Sequence, residues 1–192
     1  MDFVRLWLTG LLHPSTTMET LRTRPAPFWG FKAVLVRFVG TSLLVALPLA
    51  LLERTPFQPS YLVFIKDDDY YLMLVFLFPV FGVFTWLLMS SCTHVGLRLF
   101  SRPTEFDRIA NVIGISMLIP MPIVWVWDLT MIFTGAYALA PMAVSHTLFQ
   151  TWETALGVIG LKRVMGLNTR TSVSVATGVN LIYVLLGALF SR

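Results

Sequence analysis

The chain has 192 residues, 56% of them hydrophobic and 12% charged, with a formal net charge of +4 and a mean hydropathy of +0.76. A soluble domain carries about 25% charged residues, so this composition excludes a water-soluble globule and points to a membrane protein. The single cysteine, Cys92, excludes an intrachain disulfide or a cysteine-based metal cluster.

Residues 3–12, FVRLWLTGLL, are too short to span and are interrupted by Arg5. They read as an amphipathic helix lying in the interface, with Trp7 at headgroup level. Asp2 precedes the first basic residue and no small-x-small site follows Leu12, which argues against a cleaved secretory signal. Pro14 ends this helix. Thr16 and Glu19 have capping-box spacing, predicting a short helix STTMETLRTR before the Pro25-Ala26-Pro27 break. Phe28, Trp29 and Phe31 then form an aromatic anchor, so that residues 1–31 make an interfacial or cytoplasmic segment.

The first span is expected over about 33–52, followed by the loop ERTPFQPSYLVFIKDDD. Asp67, Asp68 and Asp69 offer hard oxygen ligands but lack the glycine and ligand spacing of an EF-hand loop. They read as a solvated cap before the interfacial pair Tyr70 and Tyr71. A second stretch, about 70–100, is roughly 46 Å of helix, more than a bilayer needs, so it is expected to tilt, protrude or kink near Pro79. The third, about 109–133, carries Pro120 and Pro122 near its middle, where two missing donors and two ring clashes should break or bend the helix. Trp125 and Trp127 mark its far interface, with Asp128 wet beside them. The fourth and fifth spans cover about 138–160 and 173–190.

Five spans put the termini on opposite sides. One side then holds Arg5, Arg22, Arg24, Lys32, Arg98, Arg102, Arg108, Lys162, Arg163 and Arg170; the other holds Arg54, Lys66 and Arg192. The positive-inside rule places the first set, and the N-terminus, in the cytoplasm, with the C-terminus outside. That basic face also suits anionic lipid headgroups.

Within the fourth span His146, Gln150 and Glu153 recur at i, i+4 and i+7, one helix face that must point into the bundle. Glu153 lies roughly 13 Å from the cytoplasmic end, too deep for a short carboxylate to reach water, so it is expected to be protonated, hydrogen-bonded or paired. Arg37 is the long cation offered by the first span. His94 and Asn111 lie near the cytoplasmic side and Asn180 lies deeper. These residues are either interhelical hydrogen-bonding groups or a proton or ion relay. His94, His146 and Glu153 have metal-ligand chemistry but no H-E-x-x-H spacing, and no G-x-S-x-G elbow is present, so no metal, cofactor or catalytic residue is expected. Unwinding at Pro120 and Pro122 leaves backbone groups to be met by protein or by a water-filled cavity. In the last span Ser172, Ala176 and Asn180, like Ser174 and Gly178, set small or polar side chains four apart, which permits close helix approach within the bundle or between protomers.

Three stretches carry a family likeness. LLHPSTTMETLRTRPAPFWGFKAVLVRF resembles the opening of prokaryotic members of the Yip domain family, the Ypt/Rab-interacting membrane proteins. EFDRIANVIGISMLIPMPI is similar to the family's entry into the third span, with Pro120 at its recurrent proline. FQTWETALGVIGLKRVMGLNTRTSVSVATGV resembles its most recognisable piece: Trp152, a glycine-rich turn to Gly160-Leu161, a basic loop and a small-residue start to the last helix. The chain departs from the eukaryotic branch in having IKDDDYY near the place of a DLYGP-like motif and no long polar segment before the spans. The resemblance implies an all-α bundle of five transmembrane helices with an N-terminal interfacial helix, in a bacterial inner membrane. It implies a non-enzymatic scaffold whose partners are membrane lipids and a protein partner or further copies of itself, not nucleic acid. A small oligomeric channel or transporter using the fourth span's polar face stands as the alternative.

Overall fold

In a computed structural model, which describes residues 2–24, 28–57, 65–99, 102 and 104–188, every regular element among the described residues is helical. The order is α1 (Phe3–Leu12), α2 (Pro14–Thr23), α3 (Trp29–Thr41), a π-helical turn (Ser42–Ala46), α4 (Leu47–Leu51), α5 (Tyr70–Leu99), α6 (Phe106–Leu118), α7 (Met121–Phe133), α8 (Leu139–Met165) and α9 (Thr169–Ala188). Pro25-Ala26-Pro27 lies outside the described residues.

The first span starts earlier than expected, at Trp29. Asn111 on α6 explains this extension: its Oδ1 accepts from the Gly30 N–H at 2.6 Å, satisfying a donor that the first turn of α3 leaves open. Contact there is backbone to backbone. A Cβ on Gly30 would sit 2.3 Å from Ala110 O, and one on Gly114 would sit 2.4 Å from Gly30 O, so α3 and α6 meet through glycine faces. Further along, Pro48 has no N–H for the carbonyl four residues back, and the turn before it widens to the π form before α4 completes the span.

α5 runs 30 residues without interruption through Pro79. The third span does break where its two prolines predict: α6 ends at Leu118, Ile119 and Pro120 turn, and α7 starts at Met121. α6 packs along α8 and against α3. Beyond the break α7 turns onto the π-helical turn of the first span and barely touches α8.

The N-terminal segment packs closely on the bundle. Leu6 is fully buried, Phe3 packs edge-on to Trp29 at 6.0 Å, and Trp7 packs edge-on to Trp125 at 6.2 Å. α2 folds back beside α1, with Met18 fully buried and its helix packed on α8. Each helix is about 15 Å long, half the hydrocarbon core, and Trp7 reaches Leu118 in the middle of the third span. The pair is a helical hairpin docked on the bundle. Leu6, Met18 and Leu21 are buried against the bundle, whereas Val4, Leu8 and Leu12 face outward. The capping box does not form: Glu19 pairs with Arg22 instead, an exposed contact whose hydrogen bond holds the Glu19 carboxyl below its ordinary range.

By length and composition, four helical segments qualify as membrane spans among the described residues: Trp29–Leu51, Tyr70–Leu99, Phe106–Phe133 and Thr169–Ala188. With its apolar helices the protein is an integral, multi-pass membrane protein. α8, the expected fourth span, has 27 residues, ample length, but Ser145, His146, Thr147, Gln150, Thr151, Glu153 and Thr154 leave it too polar to qualify on hydropathy. It ends at Gly166, whose φ of 66° is the left-handed conformation that closes a helix most easily with glycine.

Two expectations at the far end of the third span are corrected. Trp125 is buried, its indole N–H donating to Thr41 Oγ1 at 3.0 Å, and Asp128 is buried rather than wet. Trp127 alone of the two tryptophans faces outward. A partnered tryptophan inside a bundle has the same composition as a belt tryptophan, and the break at Pro120 rotates this one inward.

Candidate functional site

Arg37 lies eight residues inside α3, about 12 Å from its start, and it is the hub of the bundle's polar interior. Its Nη1 stands 2.7 Å from Glu153 Oε1, with both side chains 8% exposed. The same nitrogen donates to Met117 O at 2.5 Å, and Nη2 donates to the Tyr183 hydroxyl at 3.3 Å. The guanidinium carbon also lies 5.4 Å from the Phe38 ring centroid and 5.5 Å from that of Tyr183. One side chain therefore ties α3, α6, α8 and α9 together. Arginine suits the position because its planar fork serves several acceptors at once and its charge is spread enough to stack on aromatic faces.

One turn toward the far side, Gln150 Nε2 donates to Asn180 Oδ1, Asn180 Nδ2 donates to Thr154 Oγ1 at 2.7 Å, and Thr154 Oγ1 donates to Gln150 O at 2.9 Å. This amide ring joins α8 to α9. The α8–α9 connection is short, so residues near the middle of both helices come level.

Between this ring and the Arg37–Glu153 pair lies a cavity of about 50 Å³, whose polar lining is Thr93, Ser116, Gln150, Glu153, Thr154 and Asn180. A water needs about 10–15 Å³ of such space, so a few waters fit. Ser116 Oγ, buried in the wall, has no hydrogen-bond partner among the described residues.

Residues 9–191 match the profile of the Yip1 domain. The chain belongs to the Yip1 domain family. No curated protein and no solved structure matches it. In this Yip1-family chain the proline break, the Trp152–Leu161 stretch and the basic loop all fall on the elements just described: Pro120 at the α6–α7 turn, Trp152 half-buried on α8, and Lys162 and Arg163 in the last turn of α8.

The residues singled out from the sequence separate into four places. Arg37 and Glu153 are paired, with Gln150 and Asn180 bonded to each other beside them. Asn111 serves as the α3 cap. His94 is remote, near the end of α5, where its Nδ1 is 3.0 Å from Thr104 Oγ1 and its ring stands edge-on to Phe106 at 5.9 Å. His146 is turned away from Glu153 toward Asp128, at 3.6 Å. His94, His146 and Glu153 are thus not brought together, and among the described residues no three His, Cys, Asp or Glu side chains have metal-binding proximity. Tyr183, Thr154 and the buried state of Asp128 were missed. The readable signal for Asp128 was its position six residues past Pro122, where a bent helix no longer presents the faces a straight one would.

Proposed function

We propose that this Yip1-family protein is a non-enzymatic membrane scaffold that associates with lipid and with a protein partner or further copies of itself. The carrying observation is the Arg37 node: Glu153, the deepest acid of the fourth span, is consumed by an ion pair that also satisfies Met117 O and Tyr183. A carboxylate so held fastens helices and is not spare for chemistry. Membership of a family whose proteins interact with membranes and partners, and which is not known as enzymatic, supports the same reading. The lipid-facing sides of α5 and α9, with Phe76, Val80, Phe84, Leu181 and Leu185 exposed, are the surfaces offered to acyl chains or partner helices. We further infer one five-span unit over residues 1–192, in a bacterial cytoplasmic membrane, with its basic N-terminal side facing the cytoplasm and its anionic headgroups.

The cavity beside Glu153 favours the second reading, a small channel or transporter. Both readings meet in one experiment. Purified protein in liposomes with a trapped pH dye should show no saturable flux, while photo-crosslinkers at Val80 and Leu185 in cells should give discrete protein adducts. Saturable flux that Glu153→Gln abolishes in a folded protein would replace the scaffold by the transporter.

A further inference from the structure

Asp128 stands outside the Arg37 node and has no use in it. It is 3% exposed, and its Oδ1 has no hydrogen-bond partner among the described residues. Its Oδ2 is 3.6 Å from Nε2 of His146, a half-exposed side chain on α8. A buried carboxylate with an open oxygen is a costly group in any protein interior, and more so inside a bilayer.

The hydrogen on His146 is assigned by its other nitrogen. Nδ1 lies 3.0 Å from Met142 O, and a carbonyl can only accept, so Nδ1 carries the hydrogen. Ser145 Oγ, 3.5 Å from that nitrogen, gives its own hydrogen to Met142 O at 3.1 Å. In a neutral ring Nε2 then turns a lone pair toward the Asp128 carboxylate, so two acceptors oppose each other. A single added proton, on Nε2 or on the carboxyl, turns that opposition into an attraction.

Among the described residues, the surrounding groups supply no substitute cation. Arg37, which faces His146 from α3, is neutralised by Glu153 of α8 at 2.7 Å. Tyr137, in the connection between α7 and α8, faces Asp128 with Tyr70 and Tyr71 of α5 behind it; burial pushes its phenol up, so it stays neutral.

The location gives the proton a mechanical consequence. Beyond Pro120 α7 and α8 have little contact, and the Asp128–His146 contact joins them. We infer that Asp128 and His146 form a one-proton binding site that latches α7 to α8 at the end of the bundle away from the N-terminus. With the proton bound, the pair is neutral overall and closed. As pH rises and the proton leaves, an uncompensated carboxylate remains at the contact, which then opens or hydrates.

The test uses the full chain in lipid nanodiscs, with Cys92 replaced by serine and spin labels on Phe133→Cys and Val144→Cys, both exposed positions. Label-to-label distance is recorded from about pH 5 to about pH 9, the window in which histidine-containing sites exchange protons. The short-distance population should fall with a single-proton slope, about tenfold per pH unit above the midpoint. Asp128→Asn should flatten the profile, and His146→Arg should hold the short distance at every pH. Should Asp128→Asn fail to fold, His146→Asn, at a half-exposed position, makes the same comparison. An unchanged wild-type distance across the range, or a wild-type profile in either asparagine variant, overturns the latch.

Discussion

Trp7 donates its indole N–H to Leu118 O at 2.9 Å across 111 residues of sequence, and Leu118 is the residue whose carbonyl Pro122 deprives of a helical donor. An α-helix bonds each N–H to the carbonyl four residues back; Pro122 has no N–H, so Leu118 O, midway along the third apolar segment, is left without its helical donor. Through Trp7, the α1–α2 hairpin closes what the proline opens. One residue earlier, Met117 O accepts from Arg37 at 2.5 Å.

Trp7→Phe should therefore cost about 0.5–1.5 kcal/mol beyond its small change in buried area, the range for one neutral hydrogen bond. Pro122→Ala restores a backbone N–H to the same register and should make Trp7→Phe cheaper. Unfolding of the four proteins in mixed micelles gives the double-mutant cycle; additive losses would show that the indole and the proline act independently.

The break and the polar face were legible because both depend on residue types at fixed spacing. A proline removes a donor wherever it stands, and positions i, i+4 and i+7 share a face in any helix. Depth was less legible. Trp125 and Asp128 were placed at interfaces because aromatic and acidic residues near span ends usually are, yet each is buried beside a partner on another helix, Thr41 and His146. The docking of the α1–α2 hairpin was not legible because the surface it packs on, α6 and α8, is assembled from residues distant in sequence. The partners of the polar face on α8 were not legible for the related reason that they are contributed by α3 and α9.

Arg37 and Glu153 should tolerate substitution unequally. Glu153→Gln keeps an acceptor for the guanidinium and removes only the charge, whereas Arg37→Met breaks the ion pair and also leaves Met117 O and a buried carboxylate open. Losing one partner of a buried pair costs about 3–5 kcal/mol, and Arg37→Met should reach that range while Glu153→Gln falls well short of it. Adding Glu153→Leu to Arg37→Met should recover part of the loss. Equal losses in the two single variants would mean that the carbonyl contact contributes nothing.

Gly30→Ala should be among the most damaging single-methyl changes available. The added Cβ meets Ala110 O at 2.3 Å, a backbone atom that cannot move without displacing α6, and overpacking of this kind typically costs about 1–3 kcal/mol. Gly178→Ala, on α9 with nothing within 4 Å of the new carbon, is the control and should be neutral or slightly stabilising, since glycine is a poor helix former. Thermal melts of the two variants in the same detergent decide the comparison. A destabilised Gly178→Ala would indicate that α9 packs against something other than lipid.

The topology of α8 carries the last prediction. An acid near the centre of a lone helix costs about 2.5–3.5 kcal/mol to insert, and α8 bears Glu153 together with Gln150, His146 and four hydroxyl residues. Alone it would insert marginally. In the folded chain Arg37 neutralises the acid, Asn180 takes the amide and Asp128 faces the imidazole, so the whole helix is expected to cross as the fourth of five spans. Single cysteines in a Cys92→Ser background report this directly, at the exposed positions Arg24, Ala136 and Lys162. Arg24→Cys and Lys162→Cys should react with an impermeant maleimide only from the cytoplasmic side, and Ala136→Cys only from outside. Labelling of Ala136→Cys and Lys162→Cys from the same side would remove α8 from the set of spans. With it would go the placement of Glu153 in the hydrocarbon, on which the Arg37 pairing energy depends.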